Sequence, residues 1–420
     1  MAQRRVLMYS QDGFGLGHFR RNSNIAQQVL QRDPDTRVLI VADTPAPLFT
    51  PTAGIDYVKL PTIVKADTAV WHTGSLDIDI QHTIDLRART ILAIYTAFRP
   101  DVVLVDHMPV GALGELKPTL DQIASSPTRP QLLLGLRDVL DEPSVIRRTW
   151  KETGAYAYLS CYDAVLVYGC RDIYDLDAAY GLSSTVSNII YCNYVSRSHA
   201  RSNGETRAPE APFVLMMAGG GHDASPLARA FLEASPMMAS GRLLESVVVT
   251  GPTMSQHEYE ELVNRYRAPG VSIERSIPDL TAWVERAAAI VTMGGYNSLC
   301  DVLALQKRTL VVPRRGPSAE QRIRARLFAR RGLVRMLDPD DLTAANLADS
   351  IHQLFSDDNL PHSTNIPPLD GSYRAATCVL DGHGALTHAS PVEPEALPVA
   401  SPVPRSRARP KLLVGSELLE

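Results

Sequence analysis

Ile290-Val291-Thr292-Met293-Gly294-Gly295-Tyr296-Asn297-Ser298-Leu299-Cys300-Asp301 reads as a short buried strand, a Gly-Gly turn and the start of a helix. Such a turn leaves the first N–H groups of the helix free at the ligand-facing end of a parallel sheet. Those N–H groups and the Ser298 hydroxyl would face a phosphate, and Asp301, one turn further on, would reach ribose hydroxyls. The competing reading is local: Asn297 and Ser298 cap the helix and Asp301 favours its positive end. The pattern recurs at once. Val311-Val312-Pro313-Arg314-Arg315-Gly316-Pro317-Ser318-Ala319-Glu320-Gln321 is a strand, a Pro/Gly loop and a helix start. It sets Glu320 and Gln321 where they either contact sugar hydroxyls or cap the helix.

Outward from this segment, β-branched runs alternate with amphipathic stretches, the mark of an α/β protein with parallel sheets. Strands are expected at 6–9, 37–41, 101–105, 131–135, 164–168 and 189–194, with helices over about 18–31 and 79–98. Residues 196–212 lack apolar periodicity and read as a linker. The layout then restarts with a strand at 213–217, a helix from about Ser225, and strands near 246–250, 271–274, 289–292 and 309–312. Two domains follow: residues 1–196 and 213–355, joined by a linker at 197–212. Periodicity fades from about Ser356. Six prolines from Pro391 to Pro410 lie among Ser, Ala and Val, so 356–420 reads as an extension, largely disordered beyond about 385.

Composition sets the outer limits. The 420 residues carry 42 Lys and Arg against 46 Asp and Glu, a near-balance that argues against a general nucleic-acid binder. Five scattered cysteines without a CxxC pair argue against a zinc site or disulfide framework. No apolar run approaches the ~20 residues that span a bilayer, and the apolar stretch behind Arg4-Arg5 is short for a signal peptide. A cytoplasmic protein is expected.

Two more glycine loops follow strands. Ser10-Gln11-Asp12-Gly13-Phe14-Gly15-Leu16-Gly17-His18 has GxGxG spacing, not the GxGxxG of a dinucleotide site, although Asp43 would imitate that site's ribose acid. His18, at a helix start near the sheet mouth, is a candidate general base; an ordinary hydrogen-bonded histidine is the alternative. Met217-Ala218-Gly219-Gly220-Gly221-His222 opens the second half. Two such loops, each opening a domain, suggest a ligand clamped between domains.

Asp106, at a strand end, would orient His18, bind an acceptor hydroxyl or cap a loop, and capping is favoured. Arg137 and Asp138 line the acceptor side or pair with each other. Arg322, Arg326 and Arg330 share one helix face and Arg324 and Arg331 another. A solvated face is favoured over an anionic membrane or phosphate surface. The triplets Asp77-Ile78-Asp79, Asp175-Leu176-Asp177 and Asp338-Pro339-Asp340 lack the setting of a metal site.

At these residues the chain resembles the GT-B glycosyltransferases of family 28, particularly the peptidoglycan lipid-intermediate N-acetylglucosaminyltransferases. The resemblance runs from about Gln3 to Leu354 and is strongest from Pro278 to Gly332. It implies a GT-B fold, two Rossmann-like domains with parallel sheets facing across a cleft. It also implies inverting, metal-independent transfer from a nucleotide-diphosphate sugar, UDP- or TDP-linked, to an acceptor hydroxyl that the sequence does not specify. The nucleotide sugar is a co-substrate, and no cofactor or metal is expected.

By this resemblance His18 acts on the acceptor or orients it, with Gly15 and Gly17 in the adjoining loop. Gly219, Gly220 and Gly221 match the loop opening the nucleotide-binding domain. Gly294, Gly295 and Ser298, with Asn297 between them, match the diphosphate segment, and Asp301 a ribose-binding Glu. Glu320 and Gln321 match a Gln-Gln pair facing the donor sugar, and the Glu for Gln exchange leaves that sugar open. Three other readings stand beside it. A nucleotide-sugar 2-epimerase of the same fold needs extra cleft carboxylates. An NAD-dependent oxidoreductase using Gly13 to Gly17 and Asp43 leaves 294–301 unexplained. The third is a non-catalytic nucleotide-sugar-binding protein.

Overall fold

The computed structural model describes residues 3–12, 17–44, 52–67, 70–197, 208–238, 244–357 and 360–387. Gly15, most of the linker and the chain beyond 387 lie outside them. The first lobe is built on seven parallel strands in the spatial order Ile55–Lys59, Arg37–Ala42, Arg5–Ser10, Val102–Asp106, Gln131–Arg137, Ala164–Tyr168 and Ile189–Tyr191. The second carries six: Val271–Glu274, Glu245–Val249, Phe213–Met217, Ala289–Thr292, Thr309–Val311 and Arg335–Met336. The inner strands Val102–Asp106, Ala164–Tyr168, Phe213–Met217 and Ala289–Thr292 are buried along their whole length. Helices on both faces of a parallel sheet require this, which is why these runs are apolar without alternation.

Each sheet reverses its winding once, and that position opens a crevice beyond the strand ends where such folds take ligands. In the first lobe it lies between Arg5–Ser10 and Val102–Asp106, paired Val6 to Val102 and Tyr9 to Val105. In the second it lies between Phe213–Met217 and Ala289–Thr292. The glycine turns at Gly219–Gly221 and Gly294–Gly295 therefore stand at the second crevice, and the first helix starts at Gly17 beside the first.

The second crevice needs its glycines. Gly221 has φ +104°, and a β-carbon there would meet the Thr250 carbonyl oxygen at 2.3 Å. The facing Gly251, φ +96°, is equally closed by the Gly220 carbonyl. Thr253 braces the loop, its N–H and hydroxyl both donating to the Gly220 carbonyl at 2.9 Å. Gly221→Ala is expected to destabilise the protein by about 1–3 kcal/mol, the cost of a strained non-glycine backbone, read as a lower midpoint in urea.

Other expectations shift in detail. The strand at 131–135 extends to Arg137, and that at 189–194 ends at Tyr191. Asp79, Asp175 and Asp338 of the three Asp triplets each accept a backbone N–H at a helix start. Where periodicity fades after Ser356, the chain forms a further helix, Gly371–Asp381, which returns to the first lobe and packs on the helix Gly17–Arg32. Arg32 donates to the Thr377 hydroxyl at 2.6 Å and pairs with Asp381 at 2.8 Å. One apolar cluster runs through both lobes, including Phe19, Tyr194, Phe213, Tyr296, Phe328 and Cys378. Among the described residues no helix is long and apolar enough to cross a membrane.

Candidate functional site

The helix Gly17–Arg32 begins where the first strand ends, and Asp12 holds its N-terminus. The Asp12 carboxylate accepts the His18 and Phe19 N–H groups, each at 2.8 Å. Burial and the neighbouring Asp43 carboxylate push Asp12 up to about 8, against the pull of its hydrogen bonds. Asp43 itself faces inward. It accepts the Asp12 N–H at 2.7 Å and pairs with Arg87 at 3.1 Å. Arg87 continues to Glu115 at 2.8 Å, and Glu115 accepts the Tyr9 hydroxyl. Asp43 is fully buried in this network and braces Asp12. The acid on which the NAD reading depended thus turns away from the crevice.

His18 faces the first crevice with 15% of its side chain exposed, its Nδ1 lying 2.7 Å from Asp106 Oδ2. The loop-capping reading of Asp106, favoured from sequence, gives way to this pairing. Asp106 is fully buried at the end of its strand and accepts Arg21 Nη2 at 2.7 Å on both oxygens. Burial alone would raise the Asp106 carboxyl, but Arg21 and His18 hold it below the usual carboxylate range. Burial lowers His18, only partly offset by Asp106, so the imidazole is neutral at pH 7. The His107 ring stands 4.7 Å away.

Across the cleft, Gly294 has φ +79°, and a side chain there would strike Val311. Gly295 begins the helix Tyr296–Ala304 without a side-chain cap, so neither Asn297 nor Ser298 closes its N-terminus. Asn297 instead donates to the Gly17 carbonyl at 3.0 Å, joining the two glycine loops. Asp301 pairs with Arg20 of the first lobe at 2.8 Å. Gly219, by contrast, stands exposed, with open space where a side chain would project. His222 is exposed.

Glu320 and Gln321 are placed differently from each other. Gln321 is half-buried and accepts the Arg314 backbone N–H at 3.2 Å. Glu320 is buried among arginines, 3.1 Å from Arg137, 3.0 Å from Arg324 and 3.5 Å from Arg314. Burial would raise it, yet Arg137, Arg324 and Arg314 lower it to about 2. Arg137 and Asp138 do not simply pair with each other, since both reach the second lobe. Asp138 takes Arg324 at 2.8 Å from Nε and 2.8 Å from Nη2, and Arg324 Nη1 donates to the Gly294 carbonyl at 3.1 Å.

A solvated face fits Arg322 and Arg326, which pair with Asp338. It fails for Arg324, whose side chain is completely buried. Helical spacing alone could not separate Arg324 from its neighbours; the Glu320–Arg324 i,i+4 pair was the available signal.

Residues 214–367 match the family described as "Glycosyltransferase family 28 C-terminal domain". The chain is 27% identical over 154 residues to the UDP-N-acetylglucosamine--N-acetylmuramyl-(pentapeptide) pyrophosphoryl-undecaprenol N-acetylglucosamine transferase of Syntrophus aciditrophicus. That match covers 35% of this chain and 41% of the relative, so the chain spans about two fifths of its length. Among solved structures, the glycotransferase of kitacinnamycin superposes with a TM-score of 0.62 at 16% identity, covering 91% of this chain and 100% of that one. A putative UDP-N-acetylglucosamine 2-epimerase from Listeria monocytogenes superposes with a TM-score of 0.62 at 14% identity, covering 92% and 97%. At such identities these likenesses establish the two-lobed fold, known as GT-B, and leave the chemistry to the residues.

Proposed function

We propose, since residues 214–367 match the glycosyltransferase family 28 C-terminal domain and the chain has a GT-B fold, that this chain transfers a sugar from a nucleotide-diphosphate donor to an acceptor hydroxyl with inversion. The observation that carries the reading is the meeting of two unlike half-sites. A neutral histidine backed by a buried carboxylate stands at one crevice. An uncapped helix end behind two glycines stands at the other, and the Asn297–Gly17 bond joins them.

In this mechanism His18 removes the acceptor proton as the hydroxyl attacks the anomeric carbon, and the bond to the diphosphate breaks. The proton enters an imidazole whose Nδ1–H points at Asp106, so the new positive charge is paired where it forms. The departing diphosphate gathers charge against the first N–H groups of the Tyr296 helix and the Ser298 hydroxyl, with the Gly219–Gly221 loop beside it. A helix end can perform this role without a metal ion, and transfer is expected to persist in chelator.

Calorimetry with UDP, TDP, GDP and NAD tests the donor. A nucleoside diphosphate should bind, and Asp301→Ala should weaken it about tenfold, as loss of one ribose contact and of the Arg20 pair. Tight NAD binding without any diphosphate response would sink the proposal. The likeness to a putative 2-epimerase supplies a second reading. Acceptor-independent conversion of the nucleotide sugar to its 2-epimer, followed by NMR, would favour it.

A further inference from the structure

We propose that Arg21 is a positioning residue of the base, seated between the lobes so that the His18–Asp106 pair is set by a guanidinium that both lobes hold. This rests on the reading of His18 as the base. Arg21 is 1% exposed, and its Nη2 lies 2.7 Å from each Asp106 oxygen and 2.8 Å from His18 Nδ1. Its guanidinium carbon is 5.3 Å from the ring centroid of Tyr168, a first-lobe residue at a strand end. It is also 5.3 Å from that of Tyr296, the first residue of the second-lobe helix whose N-terminus faces the cleft. The Tyr296 hydroxyl in turn accepts the Val195 N–H at 2.8 Å, next to the linker.

The cation is thus stacked between a ring from each lobe, and Asp106 is the acceptor that its N–H groups reach. Two consequences follow from charge alone. Arg21 keeps Asp106 ionised, so the carboxylate accepts Nδ1–H and turns the other ring nitrogen into the proton acceptor. Its positive charge beside the imidazole also opposes protonation before substrate arrives. The other groups facing His18 are His107 beyond the strand end, Arg137 from the neighbouring strand and the Asp12 carboxylate beneath its backbone. Among these, Arg21 is the cation that donates to Asp106 and lies 2.8 Å from His18 Nδ1, where it acts on the ring through charge because Nδ1–H is directed at Asp106.

NMR titration of the His18 ring in the full chain, labelled at histidine and assigned with His18→Ala, needs no knowledge of the acceptor. Arg21→Gln should raise the His18 midpoint by about one pH unit, a tenfold change in protonated fraction at a fixed acidic pH. Asp106→Asn should move it the opposite way. Arg21→Lys, which keeps the charge and serves if the glutamine variant does not fold, should raise it by less than about half a unit. An unmoved midpoint in Arg21→Gln, or a shift in Arg21→Lys as large as full loss of charge, overturns the proposal. Transfer surviving in His18→Ala would instead sink the base reading, a result separable from either titration.

Discussion

His18→Ala is expected to slow sugar transfer by about 10²–10⁴-fold, the usual contribution of a positioned base, while nucleotide affinity stays within about twofold. The asymmetry follows from where the histidine stands. It belongs to the first-lobe crevice with Asp106 and Arg21, whereas the uncapped helix end and Gly219–Gly221 loop belong to the second. Losing the imidazole removes proton transfer and leaves those N–H groups in place. Because burial holds His18 below its ordinary value, and only the neutral ring can accept a proton, kcat/KM should rise as pH climbs through a midpoint below 6.5 and level near neutrality. Release of nucleoside diphosphate from the donor, measured from pH 5 to 8, reads this limb. Equal loss of rate and nucleotide affinity in His18→Ala would place the residue on the donor instead.

The second large effect is structural. Arg324→Ala should cost about 3–5 kcal/mol, because it leaves the buried Asp138 carboxylate without its two-point partner. Arg324→Lys should cost less, since one ammonium keeps the charge and loses the fork. Glu320 adds a pH dependence. With its carboxyl held down to about 2, the stabilisation it brings is complete above the ordinary carboxylate range and disappears as pH falls from ~4.3 toward that value. Denaturant midpoints at pH 7 and pH 3 test both points. An Arg324→Ala protein as stable as the parent would mean that the lobes do not depend on this cluster.

The parallel sheets and their glycine turns were legible because buried strands and strand-to-helix turns leave local marks. The places of His18, Gly294 and Asp301 at strand-to-helix turns were legible for the same reason. What remained hidden was tertiary. Within 320–331 the i,i+4 spacing of Glu320 and Arg324 is the one local mark that separates the fully buried Arg324 from the Asp338-paired Arg322, since the partner Asp138 lies 186 residues away. Asp43 looked like a ribose acid until Arg87, far along the chain, claimed it. Asp106 was underrated for a similar reason: its worth comes from His18 and Arg21, 88 and 85 residues away.

The return of the helix Gly371–Asp381 has a consequence for the order of synthesis. Gly371 donates its N–H to the Tyr194 carbonyl, and that helix covers the outer side of the helix Gly17–Arg32. Its residues Ala375, Ala376 and Cys378 are fully buried in the cluster that holds Phe19 and Ile25. On a ribosome, the lobe that emerges first must therefore wait, with part of its apolar surface uncovered, until nearly all of the second has left the exit tunnel. The half that is made first is the half completed last.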